Sequence, residues 1–153
     1  TLRVLDAATG EALAGAAVYL WHADQDGLYS LYTKADQNYL RGVQEAGSDG
    51  AVTFTTAFPG AYDGRWPHMH FEVYSTLAEA TAAGTPVRTS QLAIPEDTCN
   101  LVYATGGYEQ SVSNMTRTTL ATDMVFSDGA DRQLPTVTGS VAKGFALALD
   151  VPV

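Results

Sequence analysis

Hydrophobic and polar residues alternate along most of this chain, and short clusters of Gly, Asp and Asn interrupt the alternation. An alternation with a period of two residues is typical of β-strands that bury one face and expose the other. The pattern predicts strands within residues 2–7, 16–23, 41–46, 51–58, 67–74 and 87–94, and a C-terminal hairpin formed by residues 134–144 and 145–153.

The same alternation assigns side chains to faces, because successive residues of a strand point in opposite directions. It predicts that one strand presents a single face made of Val52, Phe54, Thr56 and Phe58. It predicts a similar face near the C-terminus, made of Phe145, Leu147, Leu149 and Val151.

Helical signals are few and short. Residues 75–84 contain a possible capping box from Thr76 to Glu79 and end at Gly84. Residues 95–105 begin with a proline and two acidic residues, as many helices do. Many short strands and few helices predict an all-β sandwich of two sheets with short helices in the connections. No repeat or linker divides the chain, so we expect one domain over residues 1–153.

Composition narrows the possible functions. Hydrophobic residues make up 46% of the 153 residues, and no apolar run is long enough to span a membrane. The net charge is -9 with only eight Lys and Arg, which argues against a nucleic-acid partner.

The lone Cys99 cannot form an internal disulfide, so it is either a buried apolar residue or the partner of a cysteine outside this sequence.

The segment "GAYDGRWPHMH" (60–70) holds two of the three histidines. In a strand, His68 and His70 point to the same face and can share a metal ion, although so short a pattern also fits two surface histidines. The residues that accompany them on this face are Glu72 and Tyr74, while the opposite face, toward the core, carries Met69, Phe71 and Val73.

Tyrosines near the histidine pair point to a particular metal. Tyr62 lies in the turn just before it. Tyrosine is a poor ligand for zinc or calcium, whereas a phenolate suits ferric iron, whose charge lowers the pKa of the phenol. A second tyrosine would come from the polar loop after strand 16–23, as Tyr29, Tyr32 or Tyr39, although each taken alone also fits a packing role.

Three stretches together resemble the intradiol ring-cleavage dioxygenases, most of all their small extracellular bacterial branch. They are "GAAVYLWHADQDGLYSLY", the run from "NYLRGVQ" to "HMHFEVY", and "RTSQLA", and the likeness continues more weakly through 95–105 and 124–129. The shared features are G-x-Y after a Trp-containing strand, a PG-x-Y turn and R-x-x-H-x-H. The resemblance implies one ferric ion bound by Tyr29, Tyr62, His68 and His70, with Arg65 and Gln91 as further active-site residues.

The resemblance also implies a reaction. Such enzymes cleave the bond between the two hydroxylated carbons of a catechol with O2 to give a cis,cis-muconate-type diacid, without NADH or flavin. It implies that Tyr62 leaves the iron when substrate arrives and takes a catechol proton, while Tyr29 stays bound. Arg65 would stabilise negative charge on the reacting ring. Secretion and an attached or associated polysaccharide-binding module are further expectations from the branch.

Some features depart from that branch. Its members often carry cysteines where Ala23 and Ala61 stand here, which indicates the joint loss of one disulfide. The N-terminal segment that usually precedes the first strand is absent, and if that segment normally covers the site or pairs with Cys99, we expect this chain to be a core fragment. The chain has no room for the helical dimer domain of the larger cytoplasmic enzymes. His22 matches no ligand, and we expect it to be packed or solvent-facing.

Two other functions fit parts of the sequence. A non-catalytic transthyretin-like binding or spacer module explains the first sixty residues but leaves Tyr62, Arg65 and the histidine pair unexplained. A zinc hydrolase using His68, His70 and Glu72 leaves the tyrosines unexplained. Arg65 also has a purely structural alternative, an ion pair with Asp63 that closes the turn.

Overall fold

The computed structural model describes residues 1–153, which form two four-stranded sheets and three short helices. The strands are β1 (Leu2–Leu5), β2 (Ala17–Trp21), β3 (Arg41–Glu45), β4 (Ala51–Val52), β5 (His68–Tyr74), β6 (Arg88–Ala93), β7 (Thr136–Ser140) and β8 (Gly144–Pro152). The helices are α1 (Leu77–Thr81), α2 (Glu96–Tyr103) and α3 (Glu109–Met115). None of them is long and apolar enough to cross a membrane.

The two sheets confirm the predicted all-β sandwich. One has the strand order β4-β1-β8-β7, and the other has the order β3-β2-β5-β6. The pair β1 and β8 is parallel, and every other pair is antiparallel, including the predicted C-terminal hairpin of β7 and β8. In the second sheet β5 is an inner strand, so both its edges are hydrogen-bonded and its side chains are held firmly.

The core lies between the sheets and takes alternate side chains from the strands. On β5 it takes Met69, Phe71 and Val73, as predicted, and each is at most 9% exposed. The β8 face predicted from Phe145 to Val151 packs on the same core, although only Val151 is fully buried. Burying a large apolar side chain contributes about 1.5–3 kcal/mol, so this alternation fixes the orientation of β5.

The predicted strand over residues 51–58 is too long. Strand β4 ends at Val52, which lies opposite Leu2, the first residue of β1, so the following residues have no strand to pair with. The predicted apolar face of this segment is nevertheless partly confirmed, since Phe54 and Phe58 pack against the core. Thr56 does not join them: it is exposed, and its hydroxyl bonds to His22.

Helices α1 and α2 lie where the sequence predicts them. Thr76 caps α1 by accepting a hydrogen bond from the backbone N–H of Glu79, and the N–H of Gly84 closes the end by donating to the Glu79 carbonyl. The predicted end at Gly84 is three residues beyond the observed helix, which ends at Thr81. Helix α3 was not predicted.

Candidate metal centre

The histidine pair lies on the outer face of β5. His68 is 2% exposed, and its Nδ1–H donates to the carbonyl of Trp66, which leaves the lone pair of Nε2 free to bind a metal. His70 is half-buried under the indole of Trp21, its cross-strand neighbour, with ring centroids 4.8 Å apart and planes 5° apart. The Nε2 atoms of the two histidines are 3.1 Å apart.

Two of the tyrosines considered in the sequence reach this pair. Tyr29 Oη lies 3.1 Å from His70 Nε2 and 3.3 Å from His68 Nε2, and Tyr62 Oη lies 3.3 Å from His68 Nε2. The other two tyrosines of the loop point elsewhere: Tyr39 donates to Asp24, and Tyr32 is 65% exposed. The structure therefore selects Tyr29 from the three alternatives.

A close approach of two backbone segments brings the tyrosines together. The N–H of Gly60 donates to the carbonyl of Asp24, and a Cβ at position 60 would lie 2.5 Å from the carbonyl oxygens of Asp24 and Gln25. Gly27 has φ +78 and lies against Tyr62, where a Cβ would meet the Tyr62 Cβ at 3.1 Å. Glycine at both positions lets the segments before Tyr29 and Tyr62 touch.

Helix α3 joins these same two segments. The buried Ser111 hydroxyl accepts from the N–H of Ala61 and donates to the carbonyl of Gln25. Asn114 donates to the carbonyl of Ala61. The residue before Tyr62 is thus held at both its amide and its carbonyl, so α3 sets the position of that tyrosine.

The four donor atoms fit a single transition-metal ion. Ligands about 2.0–2.1 Å from a common ion at angles of roughly 95–105° lie about 3.0–3.3 Å apart, which matches the observed separations of 3.1–3.3 Å. Two imidazoles and two phenols suit ferric iron. No three His, Cys, Asp or Glu side chains cluster as a metal site, and Glu72 accepts from Tyr74, so the zinc site with Glu72 is not formed.

Burial keeps His68, His70 and Tyr29 neutral without a metal. Burial, aided by the positive charge of Arg65, lowers the pKa of His68 to about 3, and burial followed by Arg65 and Arg41 lowers that of His70 to about 4. Burial raises the pKa of Tyr29 above its usual value, and Tyr62 raises it further. A bound cation would reverse this for the phenol, since an adjacent positive charge favours the phenolate.

Arg65 lies behind Tyr62 and is 8% exposed. Its Nη1 donates to Tyr62 Oη at 3.2 Å, and its Nη2 donates to Gln91 Oε1 at 2.6 Å. The predicted alternative of an Arg65–Asp63 ion pair is wrong, because Asp63 is exposed and pairs with Arg117. Arg65 pairs instead with Asp123, at 2.8 Å from Nε to Oδ2.

Sequence reasoning missed Asp123, which is fully buried. It is 58 residues from Arg65 in the chain, in a segment without regular alternation, so no periodic signal marks it. Phe126, three residues later, contacts the His68 ring at 6.3 Å between centroids and covers it. The weak family likeness over residues 124–129 is the one sequence feature that pointed to this region.

Other sequence expectations have clear outcomes. His22 is packed, with Nδ1 donating to the Ala23 carbonyl and Nε2 accepting from Thr56. Ala23 and Ala61 are both buried, at 1% exposure. Cys99 is a free, buried residue, and burial raises the pKa of its thiol, so it behaves as a small apolar side chain.

The chain is similar in sequence and in fold to known dioxygenases. A sequence model described as "Dioxygenase" matches residues 2–75. Catechol 1,2-dioxygenase 1 of Acinetobacter lwoffii is 41% identical over 90 residues, which cover 45% of this chain and 29% of that enzyme. The intradiol ring-cleavage dioxygenase of Tetranychus urticae superposes with a TM-score of 0.82 at 26% identity, covering 99% of this chain and 77% of that one. The chain is similar to the intradiol ring-cleavage dioxygenases in sequence over part of its length and in fold over nearly all of it.

The likeness extends over more of the chain in fold than in sequence. Matches to curated relatives span about a third of their length or less, 29% and 32%. A further structural neighbour is the dioxygenase domain of a dioxygenase carbohydrate-binding protein fusion from Streptomyces sp. SirexAA-E, with a TM-score of 0.68 at 24% identity over 99% of this chain and 75% of that one. At that identity the likeness concerns the fold alone.

Proposed function

We propose that the chain is an intradiol dioxygenase that binds one ferric ion through Tyr29, Tyr62, His68 and His70 and cleaves catechol-type substrates with O2. The observation that carries the proposal is the convergence of four donor atoms from three separate segments at 3.1–3.3 Å. A binding or spacer module of the same fold has no use for such a convergence, nor for a buried arginine beside it.

A ferric ion held there supplies Lewis-acid activation of a bound catechol and its reaction with O2. The surrounding residues orient the donors and exclude water. The Trp66 carbonyl fixes the tautomer of His68, so its Nε2 presents a lone pair. Trp21 stacks on the ring of His70, and Phe126 lies edge-on to the ring of His68, so both imidazoles are held in place.

Tyr62 Oη is the group we assign to take a catechol proton. It belongs to the turn before β5, and the guanidinium of Arg65 donates to it. That contact places a fixed positive charge beside the oxygen and beside the ring of a bound catechol, where negative charge develops. Gln91 accepts from the other side of the same guanidinium and holds it in this direction.

The reaction balances without a further reductant, since catechol and O2 together have the composition of the muconic diacid. We expect the iron-loaded protein to consume one O2 per catechol and to place both oxygen atoms of 18O2 in the diacid. Hydroquinone, whose hydroxyls are not adjacent, is the control and should give no ring-opened product. Oxidation of catechol to a quinone without incorporation of 18O would contradict the proposal.

Secretion, membership of the small extracellular branch and an associated polysaccharide-binding module are also part of the proposal. The support for all three is the resemblance of residues 15–91 to that branch. Binding of the natural full-length protein to insoluble cellulose or chitin tests the module. Detection in the culture medium rather than in washed cells tests secretion.

A further inference from the structure

Asp123 is the one fully buried carboxylate beside the centre, and five hydrogen bonds converge on it. Oδ2 accepts from Arg65 Nε at 2.8 Å and from the N–H of Trp66 at 2.7 Å. Oδ1 accepts from the N–H groups of Val125 and Phe126 and, at 3.4 Å, from Arg65 Nη2. All five partners are donors, so the site is built for a carboxylate.

These contacts place Asp123 between three parts of the centre. Through Arg65 it reaches Tyr62 Oη, and through Trp66 it reaches the carbonyl that fixes the His68 tautomer. Through its own loop it holds Phe126 against the His68 ring. Asp123 itself touches none of the four donor atoms, so its effect on them passes through these neighbours.

We propose that Asp123 is a positioning residue that holds the Arg65 guanidinium toward Tyr62 and the bound substrate. This rests on the proposed function. A guanidinium binds in a fixed planar fork, so anchoring Nε on Asp123 and Nη2 on Gln91 leaves Nη1 one direction, toward Tyr62 Oη. Without the Asp123 carboxylate the Arg65 guanidinium can rotate away from Tyr62. A misplacement of a catalytic group by about 1 Å can reduce the rate of catalysis about a hundred-fold.

The test compares Asp123→Asn and Asp123→Glu with Asp150→Asn, which removes the exposed Arg3–Asp150 pair of the same length, 2.8 Å. The readout is kcat for catechol per bound iron, with KM measured alongside. We expect a loss of kcat per iron of about ten-fold or more in both Asp123 variants and no loss in Asp150→Asn. A purely structural role would lower the folded or iron-bound fraction while the remaining centres turned over at the wild-type rate, and that result would overturn the proposal.

A comparison of single and double variants shows whether Asp123 acts on the centre through Arg65. If Asp123 acts through Arg65, the variant Asp123→Asn/Arg65→Gln has about the same kcat per iron as Arg65→Gln alone. If the two losses multiply, Asp123 acts otherwise and the proposal is wrong. Asp123→Glu keeps the charge, so it carries the first test if Asp123→Asn does not fold.

A second readout does not need iron. In the iron-free protein, Arg65→Gln leaves the buried Asp123 carboxylate without its cation, whereas the double variant removes both charges. We therefore expect the fall in unfolding temperature of the double variant to be smaller than the sum of the falls in Arg65→Gln and Asp123→Asn alone. Falls that simply add would show that Arg65 and Asp123 are not coupled and would overturn the proposal. A colourless, inactive wild-type protein that shows the coupling would instead reject the proposed function.

Discussion

At the scale of single residues, Tyr29 differs from the other tyrosines of its loop in where its hydroxyl lies. It is within 3.3 Å of both histidine Nε2 atoms, whereas Tyr32 is mostly exposed, touches Tyr29 edge to face and lies under the Arg41 guanidinium. The loop is held in a strained form there, since Leu31 has φ 63. We propose that this phenol serves as a ligand rather than as packing.

Tyr29→Phe should therefore lower iron affinity by at least about ten-fold, because it removes one donor and leaves the ring in place. Tyr32→Phe is the matched control from the same loop and should bind iron as the wild type does. Iron content after dialysis against a weak chelator measures both. Equal iron retention by the two variants would contradict the assignment of Tyr29.

The buried histidines predict a pH dependence for the iron-free protein. Burial lowers the pKa of His68 to about 3, against about 6.5 in the unfolded chain, so the unfolded state binds the proton first. Stability is thus complete above pH 6.5 and falls as the pH drops toward 3. For His68 alone the slope approaches ~1.4 kcal/mol per pH unit.

Denaturant unfolding between pH 7 and 5, above the range in which most carboxylates titrate, measures this slope. His68→Asn lacks the titrating group and should show a shallower slope than the wild type. A free energy of unfolding that stays level from pH 7 to pH 5 would be inconsistent with a neutral, buried His68.

At the scale of elements, the centre combines a firm strand with two segments held by close contacts. Strand β5 supplies both histidines from an inner position in its sheet. The tyrosines come from connections, which α3 and two glycines hold together. The approach at Gly60 is the tighter one, because the atoms that a Cβ would meet there are backbone oxygens that cannot move aside.

Gly60→Ala should destabilise the fold by about 1–3 kcal/mol and weaken iron binding, because the segments before Tyr29 and Tyr62 must separate. Gly106→Ala is the matched control, since a Cβ at that exposed position meets nothing within 4 Å. Chemical denaturation and iron titration of the two variants measure the effects. Gly60→Ala and Gly106→Ala proteins of equal stability would refute the role of this contact.

The sequence predicted these elements unevenly, for physical reasons. Strand β5 follows from alternation, because its core face is apolar along its whole length. Helix α3 escaped notice because its buried residues are the polar Ser111 and Asn114, which give no apolar periodicity. Residues 53–58 keep the alternation of a strand but lie beyond the end of their pairing partner, which a single sequence does not show.

At the scale of the whole molecule, the sandwich separates packing from chemistry. One face of the second sheet closes the core, and its other face carries His68, His70 and Gln91. The connections add Tyr29, Tyr62 and Arg65 to this face. The donor residues were identified from family resemblance and from chemical type, whereas Asp123 depended on a contact across 58 residues. Long-range buried ion pairs leave no local pattern, so the anchor of Arg65 became visible only in the folded chain.

The central claim is that two tyrosines and two histidines hold one ferric ion with room for a catechol. A visible absorption spectrum of the iron-loaded protein, recorded before and after adding catechol without air, tests it most directly. We expect a broad tyrosinate-to-iron band in the blue-green that shifts to the red with catechol. A protein that stays colourless after loading with iron would contradict the claim and leave a β-sandwich binding module as the better account.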